Sequence, residues 1–301
     1  MAVTTLPMTP PPSSRLGGRI VAAGATDVGR RRSRNEDQFA IVQLRRTLEV
    51  TQSSVDELGN LATEREHGTL LVVADGMGGH SAGDVASRVA ATSAIQFMCD
   101  HLSSFDDVRS PEAASGVGSH DSLHGVRSEL SRAVAHSDEN VRGASGGHEG
   151  PRRMGTTLTL AYLRAPRLYL AHVGDSRAYL LRGGELYCLT RDHTMAEEMG
   201  DQLEGEISAD SRWHHVLTRA LGGASEGGAQ PDVSRHTLEV GDVVMVCSDG
   251  LTNHLDEAAL RSALSRDDSC QAIVEGLVSA ANAAGGTDNI TAVVARFESD
   301  G

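Results

Sequence analysis

The sequence predicts a layered α/β domain: short apolar strand candidates recur along the chain, each runs into an acidic or glycine-containing turn, and stretches of helical periodicity separate them. With 301 residues, 39% of them hydrophobic, the chain can fill one large core or two small ones. No fixed-period repeat and no long uniform polar segment divides it, so a single domain over 20–299 is the expected organisation.

In order, residues 1–19 carry Pro7, Pro10, Pro11 and Pro12 among small polar residues, the composition of a flexible tail, and the domain opens near Ile20. A strand is expected over 38–45, followed by a polar surface excursion over 49–67. The apolar run 70–74 is a second strand, expected to end at Asp75, where the following glycines turn the backbone. Helical spacing covers 84–97 and 126–141, and polar residues over 143–153 predict a loop. Two neighbouring strands fall at 156–163 and 168–173, and a hairpin joins 178–181 to 186–189 through Gly183-Gly184. A buried strand over 243–247 stops at Ser248-Asp249-Gly250. Helices are expected over 256–264 and 269–284, and a strand over 290–297 closes the chain.

Charge narrows the function. A formal net charge of -14 argues against a broad nucleic-acid surface, which needs cations to neutralise phosphates. All 27 cationic side chains are Arg, and the absence of Lys removes Schiff-base chemistry and the lysine-bearing phosphate loop. A phosphate clamp here is built from Arg, backbone N–H groups or metal. Cys99, Cys188, Cys247 and Cys270 form no C-x-x-C pair and read as packed small hydrophobes in a reducing compartment. No apolar run reaches membrane-spanning length and no secretory leader opens the chain, so a cytoplasmic location is expected; the oligomeric state is left open.

Glu36, Asp37, Asp75, Asp175, Asp249 and Asp288 are the candidate chemical residues, since Mg2+ and Mn2+ prefer carboxylate, carbonyl and water oxygens. On residue type alone, two readings stand. Acidic residues in turns also serve as solvated groups that bond their own backbone.

Six ordered blocks carry a resemblance: Arg32-Ser33-Arg34-Asn35-Glu36-Asp37, Asp75-Gly76-Met77-Gly78-Gly79-His80-Ser81-Ala82-Gly83, Gly155-Thr156-Thr157, Gly174-Asp175-Ser176-Arg177, Ser248-Asp249-Gly250, and Gly286-Thr287-Asp288-Asn289-Ile290-Thr291. Together they resemble the metal-dependent protein phosphatase family, the protein phosphatase 2C type in its bacterial form. The resemblance implies an α-β-β-α sandwich with two central, mainly antiparallel sheets flanked by helices. It also implies hydrolysis of phosphoserine and phosphothreonine in proteins phosphorylated by serine/threonine kinases, through attack by a water bridging two divalent ions, Mn2+ or Mg2+. Position by position, Asp75 is the bridging ligand. Asp249 and Asp288 complete one ion's shell, and the Gly76 carbonyl and Glu36 serve the other. Asp37 orients the water, and Asp175 joins a weaker third metal position, where Asn253 replaces the usual acidic residue.

In the same resemblance Arg32 is the phosphate anchor, with Arg30 and Arg34 as further phosphopeptide contacts. His80 is a candidate for proton transfer or for structural hydrogen bonding. Met77 is assigned to packing. Residues 193–230 occupy the place of the family's variable flap, where Trp213 serves either substrate recognition or packing.

Overall fold

In the computed structural model the described residues are 18–47, 64–78, 82–101, 119–145, 154–203, 211–223 and 228–299. Two sheets carry the fold. One contains β1 (Gly18–Asp27), β11 (Ile290–Ser299), β10 (Val243–Cys247), β7 (Arg177–Arg182) and β8 (Glu185–Cys188), in that spatial order. The other runs β2 (Asp37–Thr47), β3 (Glu64–Met77), β5 (Leu158–Arg164), β6 (Arg167–Val173) and β9 (Asp232–Thr237), with the two-residue β4 (Gly155–Thr156) also paired to β3. Every strand pair is antiparallel.

Three apolar layers follow from strand alternation. Leu71, Val73, Leu170, Leu180, Val246 and Val293 meet between the sheets. The alternate residues of β3, Leu70, Val72 and Ala74, face outward onto α1 (Ala82–Asp100) and α2 (Ser119–Ala144). In α1 the buried Ala86, Ala90, Ala94, Phe97 and Met98 recur at helical spacing, which fixes the face it lays on the sheet. On the opposite side α5 (Glu257–Leu264) and α6 (Cys270–Ala283) cover Met245, Cys247 and Val294. Both helices start at side-chain caps: Asp256 accepts from the Ala259 N–H and Ser269 from the Ala272 N–H. The expected α-β-β-α sandwich is the observed architecture.

Several boundaries differ from expectation. β3 begins at Glu64, so the end of the supposed polar excursion is strand, and it continues through Asp75 to Met77 because Gly76 and Met77 pair with Thr156 and Gly155. The expected strand over 156–163 is two pieces, broken at Thr157. β1, β9, α3 (Met195–Leu203) and the short α4 (Asp249–Thr252) were not anticipated as elements. The 1–17 part of the expected tail lies outside the described residues.

Candidate active site

Strand ends from both sheets open onto one cavity of about 720 Å³. Its wall includes Glu36, Asp75, Gly76, Asp175, Asp249 and Asp288, with Arg32 among them. Register explains part of this: Asp37 and Asp75 are direct antiparallel partners at the ends of β2 and β3. In the other sheet β10 runs into Asp249 while the turn carrying Asp288 leads into β11, and these strands pair antiparallel. Gly250 permits the approach of the two turns, because a Cβ there would collide with the Asn289 carbonyl. Gly174 plays the same part before Asp175: its φ is +115°, and a side chain would strike Thr157.

The backbone at Asp75 is clamped where the neighbouring strand breaks. Its N–H donates to the Thr157 hydroxyl at 2.9 Å, and its carbonyl accepts from the Thr157 N–H and the Thr156 hydroxyl, each at 2.9 Å. Glu36 is fixed from three sides: its N–H donates to the Asn289 side chain at 2.8 Å, and its carbonyl accepts from the Ser87 hydroxyl at 2.6 Å and the Gly76 N–H at 3.2 Å. The Asn289 amide also donates to the Val28 and Arg34 carbonyls, tying the arginine-rich loop to the turn that carries Asp288.

Asp37 sits behind the wall and does not line it; only 2% of it is exposed. Its Oδ2 accepts from the Ser248 and Thr291 hydroxyls, each at 2.7 Å, while Oδ1 has no hydrogen-bond partner. Because Thr291 donates to Asp37, the Thr26 hydroxyl donates to Thr291, and Asn35 in turn donates to Thr26. Burial pushes the Asp37 carboxyl up to about 7, against the pull of those two hydroxyls.

Charge crowding extends through the ring. Asp75 is held well above the usual carboxylate range, first by withdrawal from solvent and then by repulsion from Asp37, Asp249, Asp175 and Asp288. Asp175 is raised well above that range by burial and then by Asp249, and Asp249 is raised by burial and then by Asp288. Divalent cations are the charge complement of such a ring. Glu36, Asp75, Asp175, Asp249 and Asp288 offer oxygen donors on a wall that also carries His215, and the buried Asp37 Oδ1 lacks a partner, so the carboxylates fit hard divalent ions. The carboxylates ring the cavity instead of closing on one point: among the described residues no three His, Cys, Asp or Glu side chains form one tight cluster.

Arg32 donates to Asp288 Oδ2 at 2.6 Å and is half exposed at the cavity edge.

The protein phosphatase 2C profile matches residues 48–292. The chain belongs to the protein phosphatase 2C family. It is 31% identical over 279 residues to protein phosphatase PhpP of Streptococcus pneumoniae, an alignment covering 91% of this chain and 97% of that protein. The crystal structure of the Mycobacterium tuberculosis serine/threonine phosphatase PstP/Ppp superposes with a TM-score of 0.69 at 28% identity, over 93% of this chain and 99% of that one. A structure of the PstP catalytic domain in complex with two manganese ions gives 0.67 at 30% identity, over 93% and 98%. This protein phosphatase 2C member is a metal-dependent serine/threonine protein phosphatase.

Within this phosphatase 2C site the remaining expected residues divide. His80 lies outside the described residues. Arg30 and Arg34 are exposed and off the cavity wall, their backbones bonded to Gly286 and Asn289. Trp213 is partly buried, carries the Arg212 guanidinium over its ring at 4.6 Å, and does not line the cavity. The flap instead contributes His215, Val216 and Leu217. Met77, assigned to packing, lies over Gly155 and is also 36% exposed on the cavity wall, because the extended strand carries it past the core. Asn253 also lines the cavity and donates to Asp249 Oδ2 at 3.0 Å. Arg177, next to Asp175, is occupied by Asp192 through bonds of 2.9 and 2.6 Å.

Sequence reasoning gave no role to Ser248, Thr291, Asn289 or His193. His193 is buried, accepts the Gly174 N–H on Nδ1 at 3.1 Å, and returns its own N–H to the Gly174 carbonyl at 2.7 Å. The Asp-His pair at 192–193, directly after a strand, was the available signal.

Proposed function

We propose that the ring of Asp75, Asp249, Asp288, Glu36 and the Gly76 carbonyl holds two divalent ions, Mn2+ or Mg2+, and that this centre hydrolyses phosphoserine and phosphothreonine in proteins. The observation that carries the reading is the cavity wall itself, where Glu36, Asp75, Asp175, Asp249 and Asp288 surround a space edged by one arginine. When bound, the ions supply a water of lowered pKa and neutralise oxygen charge at phosphorus.

The protein's own groups do the rest. Arg32 keeps one nitrogen on Asp288 and turns its remaining donors to a phosphate, a task its planar fork suits. Asp37, fixed by Ser248 and Thr291 behind Asp75, orients water at the rear of the site. Asp175 with Asp249 forms a third, weaker metal position, because Asn253 brings an amide where a carboxylate would add charge. His80 serves proton transfer or structural support. Arg30 and Arg34 lie on the approach and steer phosphopeptides through their charge, while Trp213 supports the flap.

Residues 20–299 form one phosphatase domain, with 193–230 as its flap. The substrates are products of serine/threonine kinases in a cytoplasmic signalling pathway. None of the described helices is long and apolar enough to cross a membrane. The test is phosphate release from matched phosphoserine, phosphothreonine and phosphotyrosine peptides with and without Mn2+. The reading requires metal-dependent release with a Ser/Thr preference, abolished in Asp75→Ala and Asp249→Ala; full activity in both variants would refute it.

A further inference from the structure

Among the described residues, three large apolar side chains are prominently exposed: Met77, Val216 and Val240. Two of the three, Met77 at 36% and Val216 at 39%, lie on the wall of the carboxylate cavity, with Leu217 beside them. A single exposed apolar residue is ordinary, but apolar groups sharing a concave site with a few charged ones mark where the apolar part of a ligand rests.

Both sides of this apolar surface are held in place. Met77 stands two residues beyond Asp75 on β3, so the two side chains leave the same strand face, about 7 Å apart along it. Pairing of Met77 with Gly155 keeps that stretch extended. At 216–218 on the same wall, the Val216 carbonyl accepts from the Met195 N–H, Leu217 bridges to Thr194, and the Thr218 N–H donates to the His193 carbonyl. The flap strip is therefore tied to the same His193 that grips the turn before Asp175.

We propose that Met77, Val216 and Leu217 form an apolar shelf that receives an apolar side chain of the phosphoprotein substrate, two residues from the phosphorylated one. This rests on the phosphatase reading and deepens it. An extended peptide with its phosphorylated residue directed at Arg32 and the carboxylates presents every second side chain to the same surface, at intervals of about 7 Å. That interval is the Asp75-to-Met77 spacing. The shelf is continuous with the phosphate end of the cavity, so its occupant and the phosphate belong to one ligand.

The experiment measures kcat/KM of the wild-type enzyme in Mn2+ on phosphothreonine peptides that differ only in Leu against Ser, two positions before or after the phosphorylated residue. Hydrolysis of p-nitrophenyl phosphate is followed in parallel. Leu is expected to be favoured on one flank by roughly 5- to 10-fold, below the range of a fully enclosed apolar pocket because the shelf is half open. The Met77→Gln, Val216→Thr double variant should bring that ratio close to one. If neither the small ester nor any peptide is cleaved, the phosphatase reading itself fails. If they are cleaved but the Leu and Ser peptides are equal, or the ratio survives in the double variant, the shelf alone fails. A wild-type dimer that the double variant dissociates, with the peptide ratio unmoved, makes the surface a subunit contact and overturns the proposal.

Discussion

Replacing Asn289 by Ala tests how far the site depends on a residue that would not itself touch the substrate phosphate. The side chain is 5% exposed and makes three hydrogen bonds: one from the Glu36 N–H at 2.8 Å and two to the Val28 and Arg34 carbonyls at 2.9 and 2.8 Å. At roughly 0.5–1.5 kcal/mol each, their loss destabilises the fold by about 2–4 kcal/mol. Those bonds also join the segment bearing Arg32 and Glu36 to the turn bearing Asp288. Loosening both sides should raise the Mn2+ concentration for half-activation by roughly 10- to 100-fold, as for other groups that orient metal ligands. Urea unfolding of the metal-free protein gives the first quantity, and a Mn2+ titration of phosphopeptide hydrolysis gives the second. A stability change below about 0.5 kcal/mol together with an unmoved Mn2+ midpoint would refute the reasoning.

Three further outcomes are expected. His172 is fully enclosed and burial lowers its pKa to about 4, so between about 4 and the unfolded value near 6.5 the unfolded chain binds the extra proton. The stability it contributes is intact above pH 6.5 and falls by roughly 3 kcal/mol by pH 4; denaturation at several pH values should show that slope reduced in His172→Gln, and equal slopes would contradict it. Arg32→Ala should lower kcat/KM for phosphopeptides by roughly 10- to 100-fold, the worth of a charge-assisted contact, with partial recovery in Arg32→Lys. Asp138→Ala strips the acceptor for the Gly222 and Ala229 N–H groups. Because Leu221 is paired through both backbone groups to Thr156, whose hydroxyl bonds the Asp75 carbonyl, faster hydrogen exchange at 221–223 should accompany a fall in kcat.

What was legible in the sequence depended on how local its cause was. β10 is a five-residue apolar run and was placed to the residue, and the helical spacing over 256–264 and 269–284 located α5 and α6 to within a residue at each end. β9, with the sequence DVSRHT, pairs with β6 along one edge only; its polar alternation left no apolar period to detect. β3 was cut short at Asp75 because glycines signalled a turn, whereas distant β4 pairing keeps the chain extended. The site carboxylates were found through ordered motifs. Their supports were not, since Ser248 and Thr291 reach Asp37 across 211 and 254 residues of sequence. The exposure of Met77 on the cavity wall was hidden for a similar reason: an apolar side chain carries no local sign that the strand delivers it there.

The most direct test of the central claim is the number of Mn2+ ions bound by the metal-stripped protein, counted by titration calorimetry for wild type and Asp75→Asn. The carboxylate ring predicts two tightly bound ions in the wild type, apart from the weaker third, and loss or marked weakening of both in the variant, which also stops releasing phosphate from a phosphothreonine peptide. Two ions bound with wild-type affinity by Asp75→Asn, or peptide hydrolysis by metal-free protein, would contradict it.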